Sequence, residues 1–142
     1  KRFKGYQQAL EEFAVPYRAE YVFEGNVDYD SGADIAYRIA KSHTELTALV
    51  ATADIFAIGL MKGFYESGVR VPEDISIMGF DDLDISAYLT PGLTTVRQEI
   101  SLKGEHAVEL LVQNMADPRM KKVEEILPVK IVERDSVRRI RV

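Results

Sequence analysis

The chain has 142 residues, of which 46% are hydrophobic and 29% charged, so we expect one globular core. It has no cysteine, which excludes disulfides, thiolate metal sites and cysteine nucleophiles. Its 18 Lys and Arg against 23 Asp and Glu give a formal net charge of -5, which argues against a nucleic-acid-binding surface on these residues alone. No apolar run approaches the ~18 residues of a membrane span, and residues 1–5 lack the apolar segment of a signal peptide, so we expect neither membrane anchoring nor export.

Helix and strand patterns alternate along the chain, with Asp30 and Ser31 as candidate caps of the second helix and Asp54 as candidate N-cap of the third. In chain order, the patterns predict a helix at about 2–14, a buried strand at 21–23, a loop at 25–32, a helix to about 42, a central strand at 47–51 that is apolar on both faces, a helix at 54–68, a strand at 75–80, a short helix at 84–88, a strand at 93–96, a helix at 101–116 and a strand at 126–133. This alternation predicts an α/β fold with a doubly wound, mostly parallel sheet flanked by helices. In such sheets, ligands bind at the carboxyl ends of the strands.

Asp81 is the first candidate for a ligand-binding group, because it directly follows the strand at 75–80. An ionised carboxylate accepts several hydrogen bonds, which suits sugar hydroxyls or the N–H groups of a base. A role in turning the chain or capping a helix fits the same position equally well. Arg2, on the first turn of a helix, is a second candidate, since a guanidinium can fork onto ligand hydroxyls or a carboxylate. Its spacing alone also fits an ordinary surface arginine.

Catalytic and metal-binding motifs have little support. The trio Asp81, Asp82 and Asp84 lacks the Gly and Glu spacing of a calcium loop. Adjacent residues on an extended chain point to opposite faces, so we do not expect Asp81 and Asp82 to act on one substrate as acid and base. The sequence has no glycine-rich phosphate motif. We therefore expect no metal, no cofactor and no catalysis.

The remaining charged features are interpreted as structural. His43 and His106 have no triad partners in evident positions and are interpreted as exposed helix residues. The basic residues near the end of the chain alternate with acidic ones and are interpreted as a solvated tail; they are Arg134, Arg138, Arg139 and Arg141.

Five segments carry a resemblance to a known family. They are Arg2-Phe3-Lys4-Gly5-Tyr6 (pattern R-x-x-G-[FYW]), Ser31-Gly32, Ala51 to Gly59 (ending in D-x-x-A-x-G), Val71 to Asp82 (containing G-[FY]-D) and Pro91 to Gln98 (P-x-L-T-T-V-x-Q). In this order the segments resemble the effector-binding part of LacI/GalR-family transcription regulators. Because they occur in the right order and are spread over almost the whole chain, the resemblance is specific where any single motif would not be.

The resemblance implies a type I periplasmic-binding-protein-like fold, in which two α/β lobes hold the effector between them. It also implies ligand contacts from Arg2 and Asp81, with Val27, Tyr29, Ala53 and Asp54 as further candidate ligand contacts. The family often has an aromatic ring at the position of Val27, for which Tyr29 is the nearest alternative here. It commonly has a polar residue at the position of Ala53, just before Asp54. These departures suggest an atypical or smaller effector, because a ring that could stack on a sugar is missing from its usual place.

The resemblance further implies a truncated domain, mainly the C-terminal lobe. We expect residues 1–95 to form this lobe, residues 96–122 to be the return segment of the other lobe, and residues 123–142 to be a final strand and tail, with the DNA-binding head absent. The implied partners are a small effector (sugar, sugar phosphate or nucleobase), operator DNA through that head, and a second copy in a homodimer. Tyr88 and Leu89 are candidates for the dimer surface. The implied location is the cytoplasm.

Two other functions remain open from the sequence. An exported sugar-binding protein of a transport system would share the fold, and it differs from a regulator in having a signal peptide rather than a helix-turn-helix upstream. An α/β hydrolase or phosphotransfer domain would use Asp81 and Asp82.

Overall fold

The computed structural model describes residues 2–117, 119 and 123–139. Predictions on residues 1, 118, 120–122 and 140–142, including that for Arg141, lie outside the described residues. The helices are α1 (Arg2–Glu12), α2 (Tyr29–Ser42), α3 (Asp54–Glu66) and α4 (Ile100–Ala116), and the strands are β1 (Ala48–Val50), β2 (Ser76–Asp81), β3 (Thr94–Gln98) and β4 (Val129–Val132). Short 3-10 helices cover Ala19–Tyr21 and Asp84–Ala87.

The described strands form one sheet in the order β1-β2-β3-β4. Strands β1, β2 and β3 are mutually parallel, and β4 is antiparallel to β3. The predicted α/β class with a mostly parallel sheet is therefore confirmed. The parallel register pairs Asp81 with Arg97, so β2 and β3 end at the same edge of the sheet.

The core lies where α2 and α3 pack against each other and against the sheet. Its buried members are Ile35, Ala36, Ile39, Ala51, Ala57, Leu60, Phe64, Ile75, Ile77 and Leu93. The two helices approach closely along three glycines: a Cβ on Gly32 would overlap the backbone of Phe56, one on Gly59 the backbone of Tyr29, and one on Gly63 the backbone of Ala33. We call Gly32, Gly59 and Gly63 the glycine seam. Any larger residue there would force the helices apart.

The predicted strand at Tyr21–Phe23 is wrong. Tyr21 ends a 3-10 helix, and residues 22 and 23 are not paired as a strand. The apolar residues pack through their side chains instead, since the rings of Tyr21 and Phe23 lie edge-on to His43 with centroids 6.1 and 5.5 Å away. His43, at the C-cap of α2, is therefore partly buried rather than fully solvated.

Strand β1 is not the central, doubly buried strand that its apolar sequence predicts. It pairs with β2 alone among the described strands and forms an edge of the sheet. Val50 is consequently 64% exposed. A continuous apolar run indicates a strand but does not fix its position in the sheet.

Both predicted helix caps are displaced by one or more residues. Helix α2 is capped by Asp28, whose side chain accepts a hydrogen bond from the Ser31 amide at 2.7 Å, rather than by Asp30 or Ser31. At α3 the N-cap is Ala53, and Asp54 is the first helical residue. Asp54 does not cap the helix because its carboxyl group is bonded to other elements.

Helices α1 and α4 bury none of their residues, although both carry apolar side chains at helical spacing. Of the helices in the described part of the chain, none has the length and apolar character required to span a membrane.

Candidate functional site

The candidate site is at the edge of the sheet where β2 ends. Arg2 lies across this edge from the start of α1: its guanidinium carbon is 3.8 Å from the centre of the Phe80 ring, and it donates a hydrogen bond to the Thr52 carbonyl. Its Nη2 is 3.7 Å from Oδ1 of Asp81. The side chains of Arg2 and Asp81 are 44% and 26% exposed, so a cation and a carboxylate lie together with part of each open to solvent. An arrangement of this kind can bind hydroxyl or amide groups of a small polar molecule.

The two aspartates at the end of β2 have separate partners. Asp81 accepts a hydrogen bond from Nε2 of Gln98 at 2.6 Å, whereas Asp82 accepts one from Nε of Arg97. Gln98 and Arg97 are neighbours on β3, so their side chains point to opposite faces of the sheet. Asp81 thus faces Arg2 and Asp82 faces away, which separates the two carboxyl groups chemically.

Asp82 is the centre of an ion-pair cluster on the second face. Its side chain is 4% exposed and is bonded by Arg97 and, at 2.6 Å, by Nη2 of Arg134. Burial acts to raise the pKa of Asp82, but the hydrogen bonds from Arg134 and Arg97 outweigh it and hold this pKa below its ordinary value. The cluster therefore joins the end of β2 to β3 and to the segment after β4.

The interpretation of Arg134 as part of a solvated tail is wrong. Its side chain is 17% exposed, and Nη1 donates to the Leu93 carbonyl at 2.7 Å. Nearby, the fully buried Ser136 donates to the Ile77 carbonyl at 2.6 Å. The chain after β4 is thus attached to the sheet by buried polar contacts, which a count of charges does not reveal.

Asp54, which the resemblance implies as a ligand contact, is fully buried. Its Oδ2 accepts hydrogen bonds from the Leu83 amide at 2.8 Å and the Ser86 hydroxyl at 2.7 Å, and its Oδ1 accepts one from the Thr95 hydroxyl at 2.5 Å. Because three protein donors fill its carboxyl group and none of it is exposed, this residue cannot meet a ligand directly in this structure. The expectation of direct contact is corrected to a structural position beneath the site.

The other implied residues lie around the neighbouring helix starts. Ala53 is 8% exposed and directly follows Thr52, whose carbonyl Arg2 contacts. Val27 and Tyr29 are 60% and 49% exposed and flank the Asp28 cap of α2. The structure thus brings Arg2 and Asp81 together and places Ala53, Val27 and Tyr29 at the N-terminal ends of α2 and α3.

In the part of the chain that the structure describes, no group of three or more His, Asp or Glu side chains is arranged so that it could hold a metal ion. His106 lies on α4, where its Nδ1 is 2.9 Å from Oε2 of Glu125.

Sequence reasoning missed several residues that build the site. Phe80 provides the face on which Arg2 stacks, and Gln98 orients Asp81. Gln98 stands at the end of the P-x-L-T-T-V-x-Q motif, which was the available signal. The sequence position of Phe80, at the end of an apolar strand, fits a core residue equally well.

A mostly parallel α/β lobe with paired cationic and anionic groups at the carboxyl edge of its strands is typical of small-molecule-binding domains. The chain matches the model of the family described as "Periplasmic binding protein-like domain" over residues 1–137, and it belongs to that family.

Comparison with individual proteins confirms the resemblance to LacI-family regulators. The chain is 34% identical over 141 residues to the HTH-type transcriptional repressor PurR of Vibrio vulnificus, covering 99% of this chain and 42% of that protein. A LacI-family transcriptional regulator from Enterococcus faecium, solved with bound ribose, superposes with a TM-score of 0.86 at 31% identity, over 96% of this chain and 50% of that one. The transcriptional regulator CelR in complex with cellobiose gives a TM-score of 0.89 at 28% identity, over 95% of this chain and 41% of that one.

The chain spans about two-fifths of the length of the curated relatives that it matches.

Proposed function

We propose that this chain is the larger part of one lobe of an effector-binding domain in a LacI-family transcription regulator. It binds a small polar effector, a sugar, sugar phosphate or nucleobase, at the edge where Arg2 and Asp81 meet. The observation that carries this proposal is the partly exposed Arg2–Asp81 pair at the carboxyl end of β2. The ribose and cellobiose in the two similar structures support the sugar class.

The proposed chemistry is recognition without bond making. The Asp81 carboxylate accepts hydrogen bonds from effector hydroxyl or N–H groups, and Arg2 donates to effector oxygens. Stacking on Phe80 and the hydrogen bond to Thr52 hold the Arg2 guanidinium in place. Val27 and Ala53 contribute a small apolar wall, and Tyr29 is the nearest ring that could cover the effector. This composition favours an effector that does not depend on a large stacking surface.

The proposed mechanism in the whole regulator is a population shift. Residues 1–95 form one lobe, residues 96–122 return into the other, and residues 123–142 complete the sheet and tail. Effector binds one arrangement of the lobes better than the other and so changes the operator affinity of a DNA-binding head outside this chain. The shift can be no larger than the difference in effector affinity between the two arrangements. Because the partner is operator DNA, the proposed location is the cytoplasm.

A homodimer completes the proposal. The end of α3, the turn after it and residues 89–91 form an open groove of about 660 Å³, lined mainly by apolar side chains. Tyr65 and Tyr88 beside these segments are 83% and 82% exposed, while Leu89 packs partly against the core. This surface is the proposed contact between copies, and sedimentation of the intact protein tests it.

The exported sugar-binding protein stays the second candidate, since the fold serves both functions. The relatives are repressors and regulators, which favours the regulator. The sequence encoded upstream of residue 1 separates them, because a regulator requires a helix-turn-helix there and an exported protein a signal peptide.

The binding proposal is tested on the intact protein in two stages. Thermal-shift measurements with D-ribose, cellobiose, sugar phosphates and nucleobases identify a compound that stabilises the protein. Calorimetric titration of that compound into Asp81→Asn and Arg2→Ala is then expected to give about 10- to 100-fold weaker binding, because each removes a charged hydrogen bond.

Lys4→Ala, on the same helix as Arg2, and Asp34→Asn, on the exposed face of α2, are the matched controls and should bind as the wild type does. Unchanged affinity in both site variants would reject the assignment of Arg2 and Asp81. A protein that none of the compounds stabilises would contradict the proposed effector class.

A further inference from the structure

The buried carboxyl group of Asp54 lies directly beneath the proposed site. All three of its donors come from segments next to Asp81. The Leu83 amide is two residues further along the chain, the Ser86 hydroxyl belongs to the 3-10 helix that follows, and the Thr95 hydroxyl comes from the adjacent strand β3. Asp54 itself belongs to α3. One side chain therefore connects the helix, the strand and the turn that carries Asp81.

The turn that Asp54 contacts has an unusual backbone. Asp81 and Asp82 adopt φ angles of +119° and +54°, in a region that residues other than glycine rarely occupy. Consecutive strained residues persist only where the surrounding structure fixes them. Two contacts fix this turn. The Leu83 amide, next along the chain, donates to Asp54, and the Asp82 amide nitrogen lies 3.4 Å from the Thr95 hydroxyl oxygen.

The space around the Asp54 carboxyl group depends on a glycine in β2. A Cβ built on Gly79 would overlap Oδ1 of Asp54, so the carboxyl group occupies the space that a side chain on β2 would otherwise fill. The carboxyl group also lies at the N-terminus of α3, whose dipole favours a negative charge. The position is thus built around this carboxyl group from three sides.

We propose that Asp54 is a positioning residue for effector binding. By holding the Leu83 amide and the Thr95 hydroxyl, it keeps the turn 81–83 in the conformation that directs the Asp81 carboxylate toward Arg2. Asp54 sets effector affinity through Asp81 and touches no effector atom. This inference rests on the proposed function, because it explains how the same site is held in shape.

Hydrogen exchange of the intact protein, followed by mass spectrometry, tests the positioning without any effector. Asp54→Asn keeps the shape of the side chain but replaces one acceptor oxygen with a donor. A peptide covering residues 81–86 is expected to exchange at least about 10-fold faster, while a peptide from residues 33–40 of α2 changes much less. Equal acceleration of both peptides would mean that Asp54 merely contributes to global stability and would overturn the proposal.

Two further variants, which remove single donors to Asp54, should accelerate exchange of residues 81–86 by different amounts. Ser86→Ala removes one donor and leaves the Leu83 contact, so it should accelerate exchange of residues 81–86 less than Asp54→Asn does. Thr95→Val removes both the bond to Asp54 and the acceptor near the Asp82 amide. If Asp54→Asn does not fold, Thr95→Val decides by the same comparison of peptides.

Titration with D-ribose adds a readout that a purely structural role would not move. Asp54→Asn is expected to weaken ribose binding about 10-fold, yet to weaken it no further when Asp81 is already Asn. Losses that add fully in the double variant would overturn action through Asp81. Failure of the wild type to bind ribose would count against this sugar in the proposed function, and the exchange comparison would still decide the role of Asp54.

Discussion

Helices α3 and α4 carry similar apolar patterns but have very different surroundings. Helix α3 buries six residues, including Leu60 and Phe64. Helix α4 buries none, and Val108, Leu111, Val112 and Met115 are each at least 59% exposed. Apolar spacing shows that a helix has a face to cover, but the partner for that face is set by tertiary structure. If residues 96–122 belong to a second lobe, as proposed, α4 is the helix that this lobe would cover.

Truncation of one apolar side chain on each helix should give the largest contrast. Phe64→Ala is expected to lower the free energy of unfolding of the 142-residue chain by about 4 kcal/mol, because Phe64 is 1% exposed and its loss leaves a cavity. Leu111→Ala on α4 should change it by about 0.5 kcal/mol or less. Urea unfolding followed by circular dichroism measures both. A loss at Leu111 as large as that at Phe64 would show that α4 has a packing partner already in this chain.

Arg134 tests whether the segment after β4 is held to the sheet by polar contacts rather than by apolar packing. Arg134→Met should lower the free energy of unfolding by about 3 kcal/mol, since it removes one of the two guanidinium partners of the buried Asp82. Arg138→Met, in the same segment but exposed, is the control and should lose less than about 1 kcal/mol.

The same ion pair predicts a pH dependence. Because the pKa of Asp82 is lower in the folded protein, its stabilisation is present above the unfolded value of 3.8 and is lost as the pH falls through the folded pKa. The stability gap between wild type and Arg134→Met should therefore narrow below about pH 4 in urea unfolding series. If the difference in stability between wild type and Arg134→Met stayed constant below about pH 4, the ionisation of Asp82 would not be its cause.

The same substitution, glycine to alanine, compares α3 with α4. Gly59→Ala should lower the free energy of unfolding by about 2 kcal/mol, because its Cβ would overlap the Tyr29 backbone at the glycine seam. Gly104→Ala in α4 meets no heavy atom within 4 Å and should raise it by up to about 1 kcal/mol, since alanine favours the helix. Thermal unfolding of both variants checks the opposite signs, and a stabilising Gly59→Ala would refute close contact of α2 and α3.

The smallest expected effect concerns the pair that connects α4 to the segment before β4. The hydrogen bond that the His106 ring donates to the Glu125 carboxylate raises the pKa of His106, with burial acting in the opposite direction. The stabilisation is then present below the unfolded value of 6.5 and is lost as the pH rises through the raised folded pKa. Urea midpoints of wild type and His106→Gln should differ slightly at about pH 6 and converge by about pH 8.5. Divergence with rising pH would contradict the pairing.

The parts predicted best from sequence are those fixed by local pattern and by chain direction. The order of helices and strands from residue 29 to residue 98 follows from apolar spacing, and the position of Asp81 at the end of a strand places it at the carboxyl edge of the sheet. The prediction that Asp81 and Asp82 face different surroundings agrees with their separate partners, although the backbone there is not the extended chain assumed. These predictions need no knowledge of which elements are neighbours.

The parts that could not be predicted depend on long-range contacts. Asp54 resembles a helix cap in sequence, and its burial becomes visible only when Leu83, Ser86 and Thr95 converge on it. Arg134 resembles a tail residue until β4 pairs with β3 and carries it to Asp82. The apolar run at Tyr21–Phe23 resembles a strand because propensity does not report whether a neighbouring strand is available.

The glycine seam has a mechanical consequence. Helices whose backbones touch through Gly32, Gly59 and Gly63 cannot slide past each other without a clash. The body built from α2, α3 and the sheet should therefore move as one stiff lever. In the proposed regulator, a change in lobe arrangement would then fall on the connections between this body and α4, which include the Gln98–Glu99 junction between β3 and α4.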